Sequence, residues 1–197
     1  VAELVKALER QRLTIEGTRL CGSTSIPDLD DACGRYFTFR HFVQCGETQA
    51  RLGLPNIPLR PETYNALYAL ATRVLEPVVE YFGAIKLTYG FASPELCGQI
   101  KGRIAPRLDQ HAACERNRGG KAAICTRGGA ACDFLVEDEN MRDVADWVIE
   151  NVSFDRLYYY GPDRPLHVSW SATPAGEAFD MRTSARGHLI PRRYKPT

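Results

Sequence analysis

The chain has 197 residues, of which 44% are hydrophobic and 25% charged, and its formal net charge is +1. These values fit one globular domain, or one domain with an added arm, and exclude a disordered, collagen-like or coiled-coil chain. No stretch approaches the run of about 18 apolar residues that a membrane helix needs, so no membrane partner is expected.

Residues 1–12 carry Val1, Leu4, Val5 and Leu8 at helical spacing among Glu3, Lys6, Glu9 and Arg10. That pattern predicts a short amphipathic helix and not a secretory signal. Residues 17–35 hold Gly22, Pro27, Gly34 and the aspartates Asp28, Asp30 and Asp31, and read as loop. The expected organisation is an N-terminal helical and loop arm over 1–35 and a main domain over 36–197.

Residues 61–82 form the clearest helix. Pro61 and Glu62 suit a first turn, and Leu67, Leu70, Ala71, Val74, Leu75, Val78 and Val79 make an apolar stripe that Gly83 ends. Pro77 lies inside it and is expected to bend the helix or end its first part. A strand follows over 85–89, closed by Gly90, and Ser93-Pro94-Glu95 starts a brief helix over 94–99. Residues 101–129 change texture, with Lys101, Arg103, Arg107, Arg116, Arg118, Lys121 and Arg127 against Asp109 and Glu115. Punctuated by Gly119-Gly120 and Gly128-Gly129, they read as a basic loop with an insertion at about 112–128. A strand over 131–136 and a helix over 140–151, with Val144, Trp147 and Val148 on one face, come next. Two strands, 156–160 and 166–170, are joined by the turn Gly161-Pro162-Asp163-Arg164-Pro165. The segment 182–195 is basic and partly extended. Helices mostly precede hairpin-linked strands, which predicts an α+β fold with an antiparallel sheet packed against helices.

Seven cysteines cannot all pair within one chain, and no CxxC motif is present. They are expected to be reduced thiols of a cytoplasmic protein. The spacing of His111, Cys114, Cys125 and Cys132 leaves open a closed Cys3His structural zinc site. Cys114 and Cys125, set among cations, are candidates for thiols of lowered pKa or for a bridge to each other.

Alternation in Leu166-His167-Val168-Ser169-Trp170 puts His167 and Ser169 on the face opposite the apolar residues. Asp133 interrupts an apolar strand, where an unpaired charge is costly. Two histidines and a carboxylate are a ligand set for a catalytic zinc that leaves a position for water, and the same set suits iron. A hydrogen-bonded core aspartate beside two unrelated histidines is the plainer alternative.

Several short segments, in order, resemble the zinc D-alanyl-D-alanine carboxypeptidase family, which shares its fold with the Hedgehog signalling domain. Residues 36–45 with Arg51-Leu52-Gly53-Leu54-Pro55-Asn56 resemble its opening segment. Val74-Leu75-Glu76-Pro77-Val78 with Phe82-Gly83 resembles "VLEPVR…FG", and Thr88-Tyr89-Gly90-Phe91-Ala92-Ser93-Pro94-Glu95-Leu96 resembles "SGYRSPEL". Gln110-His111 resembles "SQH", Gly129-Ala130-Ala131-Cys132-Asp133-Phe134 resembles "GxAxDF", and His167-Val168-Ser169 resembles "HVS". The resemblance implies a Hedgehog/DD-peptidase fold, zinc on His111, Asp133 and His167, and metal-assisted hydrolysis of a peptide or amide.

The departures are specific. The histidine and the aspartate are separated by the insertion. Ala92 stands where the family has an arginine for the substrate carboxylate, so Arg103 and Arg107 become the expected substrate-binding cations. The family's acidic base falls on Tyr159 or Tyr160, which leaves Asp163 as the nearest carboxylate and the expected catalytic base. A zinc domain with altered or no chemistry, binding an anionic partner such as nucleic acid through the basic loop and tail, is the alternative from another class.

Overall fold

The computed structural model describes residues 24–100 and 105–197. The helix expected over 1–12, and Arg103, lie outside the described residues.

Two short helices, α1 (Phe39–Gln44) and α2 (Glu47–Leu52), are the first among the described residues, and α3 (Pro61–Leu70) follows. The sequence pattern assigns no helix between residues 36 and 60, so α1 and α2 were not expected. A wide helical turn, Ala71–Leu75, then joins α3 directly to α4 (Glu76–Phe82). In that turn Glu76 N–H donates to Ala71 O, five residues back. Pro77 has no N–H to give the carbonyl four residues before it, so the extra residue absorbs the irregularity and the helix runs through.

The remaining elements are β1 (Ile85–Tyr89), α5 (Pro94–Cys97), β2 (Ala130–Val136), α6 (Met141–Asn151), β3 (Arg156–Tyr159), β4 (Leu166–Trp170), β5 (Glu177–Thr183) and β6 (Leu189–Arg193). Ser93 Oγ caps α5 by accepting from Leu96 N–H, and Asn140 caps α6 by accepting from Arg142 N–H.

The strands form one six-stranded open sheet in the order β1-β2-β4-β3-β5-β6. Every pairing is antiparallel except β3 with β5. The exception follows from the connection after β4, which passes the start of β3 and lays β5 on its far side. Asp155 pins that crossing: Ala175 N–H donates to its Oδ1 at 2.9 Å, and Glu177 N–H donates to its backbone carbonyl at 3.1 Å. The segment expected only to be extended is therefore a β5–β6 hairpin that widens the sheet.

Period-two alternation decides what each face carries. Ala130, Cys132, Phe134 and Val136 of β2, with Leu166, Val168 and Trp170 of β4, join Leu67, Leu70, Val74, Leu75, Val144 and Val148 in the main core. Asp133 and His167 consequently belong to the opposite face. Residues 24–35, assigned to the arm by the sequence, are attached to the body where described. Cys33 is fully buried in the core, and Arg40 N–H donates to Leu29 O at 2.7 Å.

Candidate metal centre

Sheet register assembles one row of side chains across five strands. Tyr89 is opposite Asp133, Asp133 opposite His167, His167 opposite Tyr158, and Tyr158 opposite Phe179 on a fifth strand. An irregularity between Leu87 and Tyr89 gives β1 a changed register there. It turns Tyr89 to the Asp133 side while Leu87 packs towards the core.

His111 enters from outside the sheet, on a single 3-10 turn, Gln110–Ala112. Asp109 starts that turn by accepting from His111 N–H at 3.0 Å. Gln110, itself buried, donates from Nε2 to Gly128 O at 3.0 Å and to Asp155 Oδ2 at 2.9 Å, tying the turn to the sheet. His111 Nδ1–H donates to Gly90 O at 2.7 Å, which leaves Nε2 directed at the sheet. Gly90 is required there, since a Cβ would lie 2.3 Å from Phe42 O.

The three expected ligands meet. His167 Nδ1 lies 2.8 Å from Asp133 Oδ1, His111 Nε2 lies 3.3 Å from that oxygen, and the two ring nitrogens are 3.2 Å apart. Both histidines are buried, and the Asp133 side chain is 26% exposed. Burial alone would raise the Asp133 carboxyl, but the two imidazoles hold it below the usual carboxylate range. Burial likewise opposes protonation of His111, and Asp133 outweighs it and raises His111. Unlike charges therefore stabilise one another where the ligand atoms converge.

The donor set can hold a metal ion. A tetrahedral ion with bonds of about 2.0–2.1 Å needs donors about 3.3 Å apart, close to the spacing found. The cysteines give no competing centre among the described residues. Cys132 faces the main core, and Cys125 sits in a separate cluster with Ala92, Leu96, Cys97 and Ala112. The six described cysteines are free thiols, and burial raises Cys114 and Cys125, which overturns the expectation of lowered pKa values or a bridge.

A cavity of about 450 Å³ lies over the triad. Tyr158, Tyr160, Phe179, Met181, Leu189 and Pro191 give it a largely apolar wall, to which the β5–β6 hairpin contributes the last four. Asp163 is not among its lining residues. The 161–165 turn carries it to a different cleft with Lys86 and Met141, so the expected base is not placed at the triad. Arg107 is exposed and does not line the cavity either; its carbonyl accepts from Thr126 N–H at 2.8 Å. Among the described residues the cation that does line it is Arg127, whose Nη1 lies 3.3 Å from Tyr158 Oη. Ala92 is fully buried, with its N–H donating to His111 O at 2.9 Å.

The insertion is anchored as well as basic. Glu115, 1% exposed, accepts at Oε1 from Leu59 N–H, Arg60 N–H and Thr63 Oγ1–H. Sequence reasoning missed Arg127, Gln110, Asp155 and Glu115 as site-building residues. The available hints were Arg127 directly before Gly128-Gly129, and Gln110 beside a candidate ligand.

Comparison of this chain with family models, with curated proteins and with solved structures gives no match.

Proposed function

We propose that this protein is a zinc-dependent hydrolase of the Hedgehog/DD-peptidase kind, acting on a peptide or another amide. The observation that carries this reading is the convergence of His111 Nε2, Asp133 Oδ1 and His167 Nδ1 on the floor of a cavity large enough for a small substrate. The ordered motif resemblance supports it, since its three implied ligands come from a turn and two strands far apart in sequence. When bound, zinc supplies Lewis-acid polarisation of a carbonyl and acidifies water.

The chain's own residues bind, orient and move protons. The Gly90 carbonyl fixes the His111 tautomer, and register with β4 fixes Asp133 against His167. Among the described residues Arg127 is the cavity's cation for an anionic substrate group, in the role expected of Arg107. Tyr160 lines the cavity, and its phenol is raised by burial and by the nearby Asp133. It therefore remains protonated at neutral pH and serves as a donor to the developing oxyanion or leaving nitrogen. Hydrolysis of an amide adds water oxygen to the carbonyl carbon, breaks the C–N bond and delivers a water proton to the nitrogen.

The test is release of amine from a panel of dipeptides and N-acyl amides by zinc-loaded protein. Turnover that disappears in Asp133→Asn supports the reading. Zinc-loaded protein that cleaves none of them favours the second reading, a metal-holding domain without hydrolytic chemistry. That reading draws on one observation: Asp109, the one carboxylate besides Asp133 that lines the cavity among the described residues, is occupied in capping the His111 turn.

A further inference from the structure

The β5–β6 hairpin has a second side. Opposite the apolar residues that wall the cavity, Arg182 and Arg192 face away from it, and with Arg193, Lys195 and Arg142 of α6 they line a groove of about 580 Å³; Arg193, in register with Phe179, borders it from the cavity side of the hairpin. Asp180 is the one carboxylate lining it, and it is engaged by Arg182 at 2.9 Å. Among the described residues, none of the other four cations is in ion-pair contact with a carboxylate. Gathering like charges on one surface is unfavourable unless counterions or a ligand compensate.

This cluster is held in place. The Arg142 guanidinium lies over the Tyr194 ring at 5.1 Å and the Tyr159 ring at 5.8 Å, and its Nη2–H donates to Lys195 O at 2.9 Å. Arg142 Nε is buried and has no hydrogen-bond partner among the described residues. Tyr194 Oη–H donates to Asp146 at 2.7 Å, and Thr197 N–H donates to the same carboxylate at 3.2 Å, which docks the tail on α6. Asp146 is thereby occupied and does not line the groove. The four basic side chains consequently start from an ordered scaffold, which reduces what binding must order.

We infer that this groove binds the phosphate backbone of nucleic acid without reading its bases. Guanidinium groups suit phosphate oxygens, and the one at Arg142 is fixed in advance. The one aromatic ring lining the groove, Tyr194, is buried, so no ring there is free to stack on a base. The inference stands apart from the metal centre.

The experiment is fluorescence anisotropy of the full chain with two labelled DNA duplexes of unrelated sequence, each about 20 bp, over a salt series. Both duplexes should bind alike, with log K falling against log salt at a slope of about −3, as expected for about three to four neutralised phosphates. The double variant R192E/R193E should weaken binding at least about tenfold at low salt and flatten the slope by about 1.8. Arg116→Glu with Arg118→Glu, on the exposed part of the insertion, should leave binding unchanged. No salt-sensitive binding by the parent chain, undiminished binding by R192E/R193E, or loss of binding in the insertion variant would each overturn the assignment. Far-UV circular dichroism checks folding. If the charge-reversed pair misfolds, R192Q/R193Q carries the same test through the same flattening of the slope.

Discussion

Asparagine at position 133 keeps the side chain's size and removes its charge. We predict that Asp133→Asn folds but loses bound metal, because the two imidazoles alone leave the set one ligand short. Elemental analysis with near-UV circular dichroism reads both halves of that statement. Glu115 makes a different kind of prediction. Its carboxylate receives three donors from the start of α3, and Glu115→Ala strands them in the interior at a cost of about 1–3 kcal/mol. Chemical denaturation measures it, and an unchanged midpoint would show that the insertion is not anchored there. These residues also mark what was legible from sequence. Asp133 stood out as a charge inside an apolar strand, and His167 as a histidine on the face opposite the apolar residues of an alternating one. His111 was open to either of two ligand sets, and the resemblance, not its local pattern, selected the one with Asp133 and His167. Arg127, Gln110 and Asp155 act only through tertiary contacts; Gln110 and Asp155 are 45 residues apart. No local periodicity carries such information.

At the scale of elements, strands whose pattern is local were read almost to the residue: β1 and β4 match, and β2, β3 and α6 differ by one residue at an end. The β5–β6 hairpin was missed because its residues are largely exposed and charged, so no apolar alternation announced it. The parallel pairing of β3 with β5 depends on where Asp155 fastens the crossing, which no strand pattern encodes. Gly129, at the entrance to β2, tests how tightly the ligand-bearing strand is positioned. Its φ is +76°, and a Cβ there would lie 1.9 Å from Trp170 O of β4. Relief requires β2 and β4 to part, and these strands carry Asp133 and His167. Gly129→Ala should therefore destabilise the fold by more than about 2 kcal/mol and weaken metal retention together with it. Thermal denaturation and metal analysis of one preparation would show whether the losses travel together; a stable variant with full metal would contradict the coupling.

Across the whole molecule, the sheet divides labour between its faces. Helices cover one, and the other carries the triad under a cavity that the C-terminal hairpin helps to wall. The tail's docking has a pH signature. Burial opposes ionisation of Asp146, but its hydrogen bonds from Thr197 and Tyr194 prevail and lower its pKa. A depressed carboxyl stabilises above its unfolded value of about 3.9 and loses that contribution as pH falls through the folded value. Amide exchange in β6 should accelerate selectively below about pH 4, and exchange that is flat with pH would remove Asp146 as the tail's anchor. Metal should also act globally. A ligand that binds only the folded chain at about 100 times its Kd stabilises by about 2.7 kcal/mol. Zinc should thus raise the melting temperature of the parent chain by several degrees and leave that of His167→Ala unmoved.

The most direct measurement of the central claim is metal content by elemental mass spectrometry, on protein purified without added metal or chelator. His111→Ala, His167→Ala and Cys114→Ala should be measured beside it. The account predicts about one divalent ion per chain in the parent and in Cys114→Ala, and none in either histidine variant. A parent chain without metal, or histidine variants that keep it, would contradict the centre formed by His111, Asp133 and His167.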